Sequence, residues 1–354
     1  MSKIKVGIVG VGNCASLLLQ GIEYYKDRTE GLMFPDLGGY KVPDIEIVAA
    51  FDVDKRKVGK RIDEAIFAEP NNTERIAEVE NDVIVKKGPV LDGIGELLKE
   101  VVIIDDSTPV NVARELQDSG AEIVLNYLPV GSYKATRFYT DEALKAGCAF
   151  INCIPEFIAS DKDYVKKFEE KKLPLVGDDV KGQLGATILS RVIARLFKDR
   201  GVELDRMYQL NFGGNTDFWN LLEESRLTYK RISKTQSVQS QLEEKKLPDY
   251  NIKISPSDYV PWLRSRKVAQ VRCEGRSFGN IPITIDIRLD VEDKSVSAGV
   301  VVDAIRCAKI ALDRGTGGPL YSISAWVMKS PPIQYPDYIA RKMVEEFIEG
   351  KRER

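Results

Sequence analysis

Apolar positions follow two rhythms along the chain. Up to about Gly201, short continuous apolar runs alternate with segments of helical period. "IKVGIVG", "IEIVAAFDVD", "EIVLNYLPVG", "CAFINCIPE" and "LPLVGDD" predict strands. "NCASLLLQGIEYY", "DEALKAG" and "GATILSRVIARLFKDRG" predict helices between or after them. Continuous apolar strands alternating with helices predict a parallel sheet covered on both faces. Beyond Gly201 the rhythm changes. "MYQLNFGGNTDFW" reads as a strand and a glycine turn, and "KVAQVRCEGRSFGNIPITIDIRLDVED" as two or three strands, with "ITIDIRLDV" alternating. Alternation predicts a sheet with one covered face, antiparallel or mixed. "SAGVVVDAIRCAKIALDRG" predicts a long helix ended by glycine. The stretch from Lys26 to Asp44, rich in Gly, Pro and Asp, reads as an excursion loop, and the last residues, "KRER", as a frayed tail. The expectation is an α/β protein: a Rossmann-type parallel sheet with a second α/β domain built on a mixed or antiparallel sheet. Residues 1–200 plus 311–354 would bind a dinucleotide, and 201–310 would carry catalysis and assembly.

Composition narrows the partners. The 354 residues include 52 Lys and Arg against 54 Asp and Glu, a net charge of −2. Such a balance disfavours nucleic acid and anionic membranes. Cys14, Cys148, Cys153, Cys273 and Cys307 are scattered without metal-type spacing and read as reduced thiols. The chain enters a strand at once, with no signal peptide and no apolar run of membrane length, so a cytoplasmic protein is expected.

The candidate chemistry sits at strand ends. Gly10, Gly12 and Ala15 form G-x-G-x-x-A between the first strand and its helix, the pattern of a dinucleotide site. Asp52 ends the second strand and is the candidate for the ribose hydroxyls, favouring NAD over NADP. The excursion loop stretches its spacing from the glycines well beyond the usual ~20 residues, so this requires the loop to leave the strand order intact. "GDDVKGQLGAT" joins Asp178, Asp179, Lys181 and Thr187 at a helix start, and is either a ligand loop in the same crevice or a solvated turn. "NFGGNTDF" offers Asn211, Asn215 and Asp217 for sugar hydroxyls and a proton, or is an ordinary turn. Lys230 and Lys234, four apart, would share a helix face, either solvated or opposite an anion. Lys267 and Lys329 say little alone, though Lys329 ends an apolar run ahead of two prolines. The chain has no histidine, the usual proton partner of a dehydrogenase.

In order from residue 7 to about residue 332, "GIVGVGNCAS", "GLMFPDLGGY", "VAAFDVDKRKVG", "IPEFIASD", "VGDDVKGQLGAT", "LNFGGNTDF", "KRISKTQSV", "RKVAQVRCEGRSFG" and "MKSPP" resemble the myo-inositol-1-phosphate synthase family, in its bacterial and archaeal branch. The resemblance implies isomerisation of D-glucose 6-phosphate to 1D-myo-inositol 3-phosphate: oxidation at C5 by NAD, enolisation, internal aldol closure and re-reduction. It implies a homotetramer, and a divalent cation as in archaeal relatives or a monovalent one as in eukaryotic ones. Position by position it implies that Lys230, Lys234, Lys267 and Lys329 are the active-site lysines. Lys329 and Lys230 would stand near C5, and Lys267 and Lys234 at the phosphate and aldehyde. Asp179 and Asp217 would be the catalytic carboxylates. Asn211, Asn215, Asp293 and Thr187 would meet substrate, and Gly10, Gly12, Asn13, Cys14, Asp52, Asn126, Asp178 and Lys181 the cofactor. Clustered lysines disfavour one another's charge, so one of them is expected to titrate low enough to act as acid or base. The alternatives are a net NAD(P)-dependent dehydrogenase of a phosphorylated or amino substrate, and a cofactor sensor without catalysis.

Overall fold

The computed structural model describes residues 3–223, 235–242 and 246–354. Seven strands form one sheet in the order β11-β6-β5-β4-β1-β2-β3. They are β1 (Ile4–Val9), β2 (Ile45–Asp52), β3 (Lys86–Lys87), β4 (Ile123–Asn126), β5 (Ala149–Asn152), β6 (Pro174–Val176) and β11 (Gly318–Pro319). Every pairing is parallel. The order reverses between β1 and β4, and in such sheets ligands bind beyond the strand ends at that point. The excursion loop therefore leaves β2 beside β1, as the Asp52 reading required.

Side chains of these strands alternate between two cores. Ile4, Val6, Ile8, Ile123, Leu125 and Ile151 face one. Val9, Val124 and Phe150 face the other. On the first face lie α1 (Asn13–Tyr24), α8 (Asp293–Asp313), α9 (Tyr321–Val327) and α10 (Asp337–Ile348). The second is covered by α3 (Val112–Asp118), α4 (Tyr133–Ala146) and α5 (Lys162–Glu170). Burial on both faces is why the strands read as unbroken apolar runs.

The second sheet has the order β10-β9-β7-β8, from β7 (Glu203–Gly213), β8 (Ile252–Tyr259), β9 (Arg266–Arg276) and β10 (Pro282–Glu292). It is mixed: β7 and β8 run parallel, and β9 is antiparallel to β7 and β10. Its covered face (Leu204, Met207, Val271, Cys273) packs on Ala194 and Phe197 of α6 (Ala186–Asp199) and on Val238 and Leu242. Its other face carries the ion pairs Arg206–Glu274 and Arg272–Asp286.

The expected domain boundary at residue 310 cuts through α8, which is one continuous helix. Its Val300, Val301, Ile305 and Ala308 pack against the parallel sheet, so that sheet claims the helix from its first turns. The apolar stripe of α8 decides this, and the change of rhythm read from the strands does not record it. Among the described residues no helix is long and apolar enough to cross a membrane.

Candidate active site

One cavity opens at the carboxyl ends of β1 and β4, between the two sheets. Its first wall is the glycine turn. Gly10 has φ +91, and a Cβ there would lie 2.8 Å from the Tyr127 carbonyl, so only glycine fits. Gly12 caps α1 without a side-chain bond, no acid stands in the first helical turn, and a Cβ on Gly12 would meet nothing within 4 Å. The Val11 N–H donates to Asp52 Oδ2 at 2.8 Å, while Asp52 Oδ1 accepts from Val53 (2.7 Å) and Asp54 (2.9 Å). Asp52 thus braces the glycine turn as well as lining the cavity. Asn13 exchanges two hydrogen bonds of 2.9 Å with Asn72, whose amide donates to the Gly214 carbonyl at 3.2 Å. Cys14 also lines the space, and burial raises its thiol pKa.

The second wall begins at α6. Its N-cap is Gly185, again without a side-chain cap or a first-turn acid, and Gly185, Ala186 and Thr187 line the cavity. Two uncapped helix starts therefore face one space. Each presents free N–H groups and the positive end of a helix dipole, a setting for anions.

Residues 178–181 run beside 328–330. Asp178 and Ser330 exchange backbone hydrogen bonds of 3.0 Å, and Lys329 N–H donates to the Asp179 carbonyl at 2.7 Å. This pairing brings Lys329 Nζ to 3.1 Å from Asp179 Oδ1, with a further bond of 2.6 Å to the Val180 carbonyl. On the opposite side, Lys267 in β9 pairs with Val291 near the end of β10. Its Nζ reaches Asp293 Oδ1, at the start of α8, at 2.9 Å. Lys294 Nζ reaches the other oxygen at 3.2 Å. Burial alone would push the Asp293 carboxyl up, but the two ammonium groups outweigh it and hold it well below the usual carboxylate range. Asn215 caps α7 (Thr216–Asn220): its Oδ1 accepts from Asp217 (3.0 Å) and Phe218 (3.2 Å). Its buried Nδ2 has no partner, and Asn215 and Asp217 both line the cavity.

Four expected site residues lie elsewhere. Asp178 is fully buried and accepts from Asn152 Nδ2 (2.7 Å), Ile158 (3.1 Å) and Ala159 (3.0 Å); burial raises its carboxyl well above the usual range. Asn126 is buried in bonds to Asn152 (2.9 Å) and Thr136 (3.2 Å). Asn211 donates to the Ser255 carbonyl at 2.7 Å on the covered face of β7. Lys181 turns away from the cavity to Asp337 (2.8 Å), shared with Arg191 (2.8 Å). Burial lowers its pKa to about 8, with Arg191 adding to the shift and Asp337 opposing it. A lysine with lowered pKa was expected among the four active-site lysines, and Lys181 is not one of them. Asp179 has a left-handed backbone with φ +61, which turns the chain at this point, and of the pair Asp178 and Asp179 only the second lines the cavity. Lys230 and Lys234 lie outside the described residues.

Sequence reasoning missed Lys57, Gln209 and Lys294, which all line the cavity. Lys57 donates to the Val11 carbonyl at 2.8 Å. Gln209 accepts from Ser190 Oγ at 2.8 Å. Lys294 follows Asp293 directly and reads in sequence as one charge of a helix start. Among the described residues no group of three or more Cys, Asp or Glu side chains is placed to hold a metal ion.

The family model described as myo-inositol-1-phosphate synthase matches residues 185–294. The inositol-3-phosphate synthase of Mycolicibacterium smegmatis is 53% identical, over 98% of each chain. That of Mycobacterium tuberculosis is 52% identical over 99% of this chain and 96% of its own. Among solved structures, Ari2 superposes with a TM-score of 0.81 at 33% identity, over 99% of this chain and 98% of that one. Inositol-3-phosphate synthase from Caenorhabditis elegans reaches 0.78 at 16% identity, over 98% of this chain and 85% of that one, a likeness of fold.

Proposed function

Because this chain belongs to the myo-inositol-1-phosphate synthase family, we propose that it is an inositol-3-phosphate synthase converting D-glucose 6-phosphate to 1D-myo-inositol 3-phosphate with NAD. The observation that carries the reading is one cavity faced by two uncapped helix starts and by the ion pairs Lys267–Asp293 and Lys329–Asp179.

The residues fit a dinucleotide. Gly12 leaves open space where a side chain would block a phosphate, and the start of α1 supplies its N–H groups. Asp52 stands where a ribose diol would be held, and its charge would repel the 2′-phosphate of NADP. Bound there, NAD supplies the reversible oxidation of the sugar at C5. The rest falls to this chain's side chains.

The start of α6, with Thr187, binds the sugar phosphate through its free N–H groups. The orphaned Asn215 amide orients a sugar hydroxyl. Lys329, anchored on Asp179, in its neutral amine form takes the proton of the C5 hydroxyl as oxidation proceeds, becoming an ammonium, and returns that proton on re-reduction. Asp179 fixes its position and balances its charge. Lys267, anchored on Asp293, offers a preorganised cation to the oxygen that becomes negative during aldol closure. Such aimed charges are worth roughly 3–4 kcal/mol each in a water-poor site. Lys230 and Lys234 share this work. Enzyme, glucose 6-phosphate and a trace of NAD should give an inositol phosphate with no lasting reduced-nicotinamide absorbance. Absorbance rising in step with substrate loss would favour a net dehydrogenase.

A further inference from the structure

Lys294 is a buried cation with no part in the steps above. It is 7% exposed and lines the cavity. It stands second in α8, where the dipole of a 21-residue helix disfavours positive charge. Its ammonium donates to Asp293, which already holds Lys267 at 2.9 Å, so one carboxylate serves two ammonium groups. The carboxylates acting on it are Asp293 and then Asp217. Burial alone would lower its pKa, yet these neighbours hold it above the ordinary lysine value, so it stays charged. Cys14, in the first turn of α1, lines the same cavity, so the ammonium shares that space with the uncapped helix start, itself a positive end. One turn on, Ser297 lines the same cavity, and its buried Oγ has no partner. With Asp293 shared between two ammonium groups, Lys294 and the start of α1 are two positive groups lining one space, a setting for an anion.

We propose that the Lys294 ammonium is a fixed counter-charge for the pyrophosphate of the bound dinucleotide, acting with the free N–H groups of α1. This rests on the dinucleotide reading of the cavity. A tethered ammonium does what a mobile cation would otherwise do there, neutralising phosphate charge without being recruited from solution. Ser297, on the same face of α8, offers a hydroxyl to the same group.

The test is equilibrium binding by calorimetry, in buffer free of divalent cations, to wild type, Lys294→Met and Lys294→Arg. Melting temperature serves as the check on folding. The ligands are NAD and ADP-ribose, which carry the pyrophosphate, and adenosine, which lacks it. Loss of one charged contact should weaken NAD and ADP-ribose about tenfold in Lys294→Met. Adenosine affinity should be unchanged, and Lys294→Arg should stay within about threefold of wild type. Added magnesium should recover part of the loss in Lys294→Met. Equal NAD affinity in wild type and folded Lys294→Met overturns the proposal. So does a defect confined to the KM for glucose 6-phosphate, which would assign the ammonium to the sugar phosphate. If wild type itself does not bind NAD, the dinucleotide reading fails first, a separate outcome. If Lys294→Met does not fold, Lys294→Gln replaces it under the same criteria.

Discussion

Among the described residues, two sets of buried lysine–carboxylate pairs stand in contrast. One is Lys267–Asp293–Lys294 with Lys329–Asp179, facing the cavity. The other is Lys181–Asp337–Arg191, closed inside the packing of α6 and α10. In the closed cluster Arg191 spends its donors on Asp337 (2.8 Å), the Ser237 carbonyl (2.6 Å) and the Tyr335 carbonyl (2.8 Å), and Lys181 adds the Ala325 carbonyl (3.1 Å). Its charge is consumed by the fold. The cavity set places its lysines along a space that two uncapped helix starts also face. Burial and ion pairing alone therefore do not single out a candidate lysine; facing the cavity does.

The largest expected contrast comes from removing one cation from the cavity. Lys267→Ala should lower kcat by about a thousandfold while its melting temperature stays within a few degrees of wild type. The closed cluster should behave in the opposite way. Asp337→Ala leaves two buried cations without their carboxylate and should cost about 3–5 kcal/mol, read by urea unfolding, with the folded fraction still active. The sign with pH follows. Burial alone would raise the Asp337 carboxyl, but Lys181 and Arg191 outweigh it and hold it below the usual range. Its stabilisation is thus complete above the unfolded value of about 4 and fades as pH falls through the lower folded value. Asp337→Asn should flatten the acid limb of stability against pH; an unchanged limb would remove the closed cluster from this account.

Smaller effects sharpen the division. Asp52→Ala should weaken NAD about tenfold and narrow the preference for NAD over NADP, by loss of the ribose contact and of the repulsion of a 2′-phosphate. Binding titrations with both dinucleotides read it, and an unchanged preference would limit Asp52 to bracing Val11. Lys181→Met should change NAD affinity by less than twofold, because its ammonium does not line the cavity. A large loss would return Lys181 to the binding site.

Much of this was legible in the sequence, and the exceptions have physical causes. Unbroken apolar strands between helices gave away the parallel sheet, and alternation in "ITIDIRLDV" the one-sided sheet. The glycines at 10 and 12 and the acid at 52 could be read because the turn between β1 and α1 needs glycine at residue 10 and its Val11 N–H finds an acceptor at the end of β2. Asp178, Asn126 and Lys181, expected at the cofactor, lie outside the cavity lining, because their side is fixed by a buried neighbour, Asn152 or Asp337, far away in sequence. Lys294 was hidden because a charge beside a charge at a helix start is commonplace; only the fold brings it near Cys14 and Asp217. The length of α8 along the parallel sheet escaped for a similar reason, as a helix stripe does not name the sheet it covers.

The most direct test of the central claim is phosphorus NMR of glucose 6-phosphate with sub-stoichiometric NAD, run side by side on wild type and Lys329→Ala of equal melting temperature. Wild type should replace the substrate resonance with that of an inositol phosphate, and the variant should leave it untouched. Near-normal conversion by Lys329→Ala, or no conversion by wild type, would contradict the account.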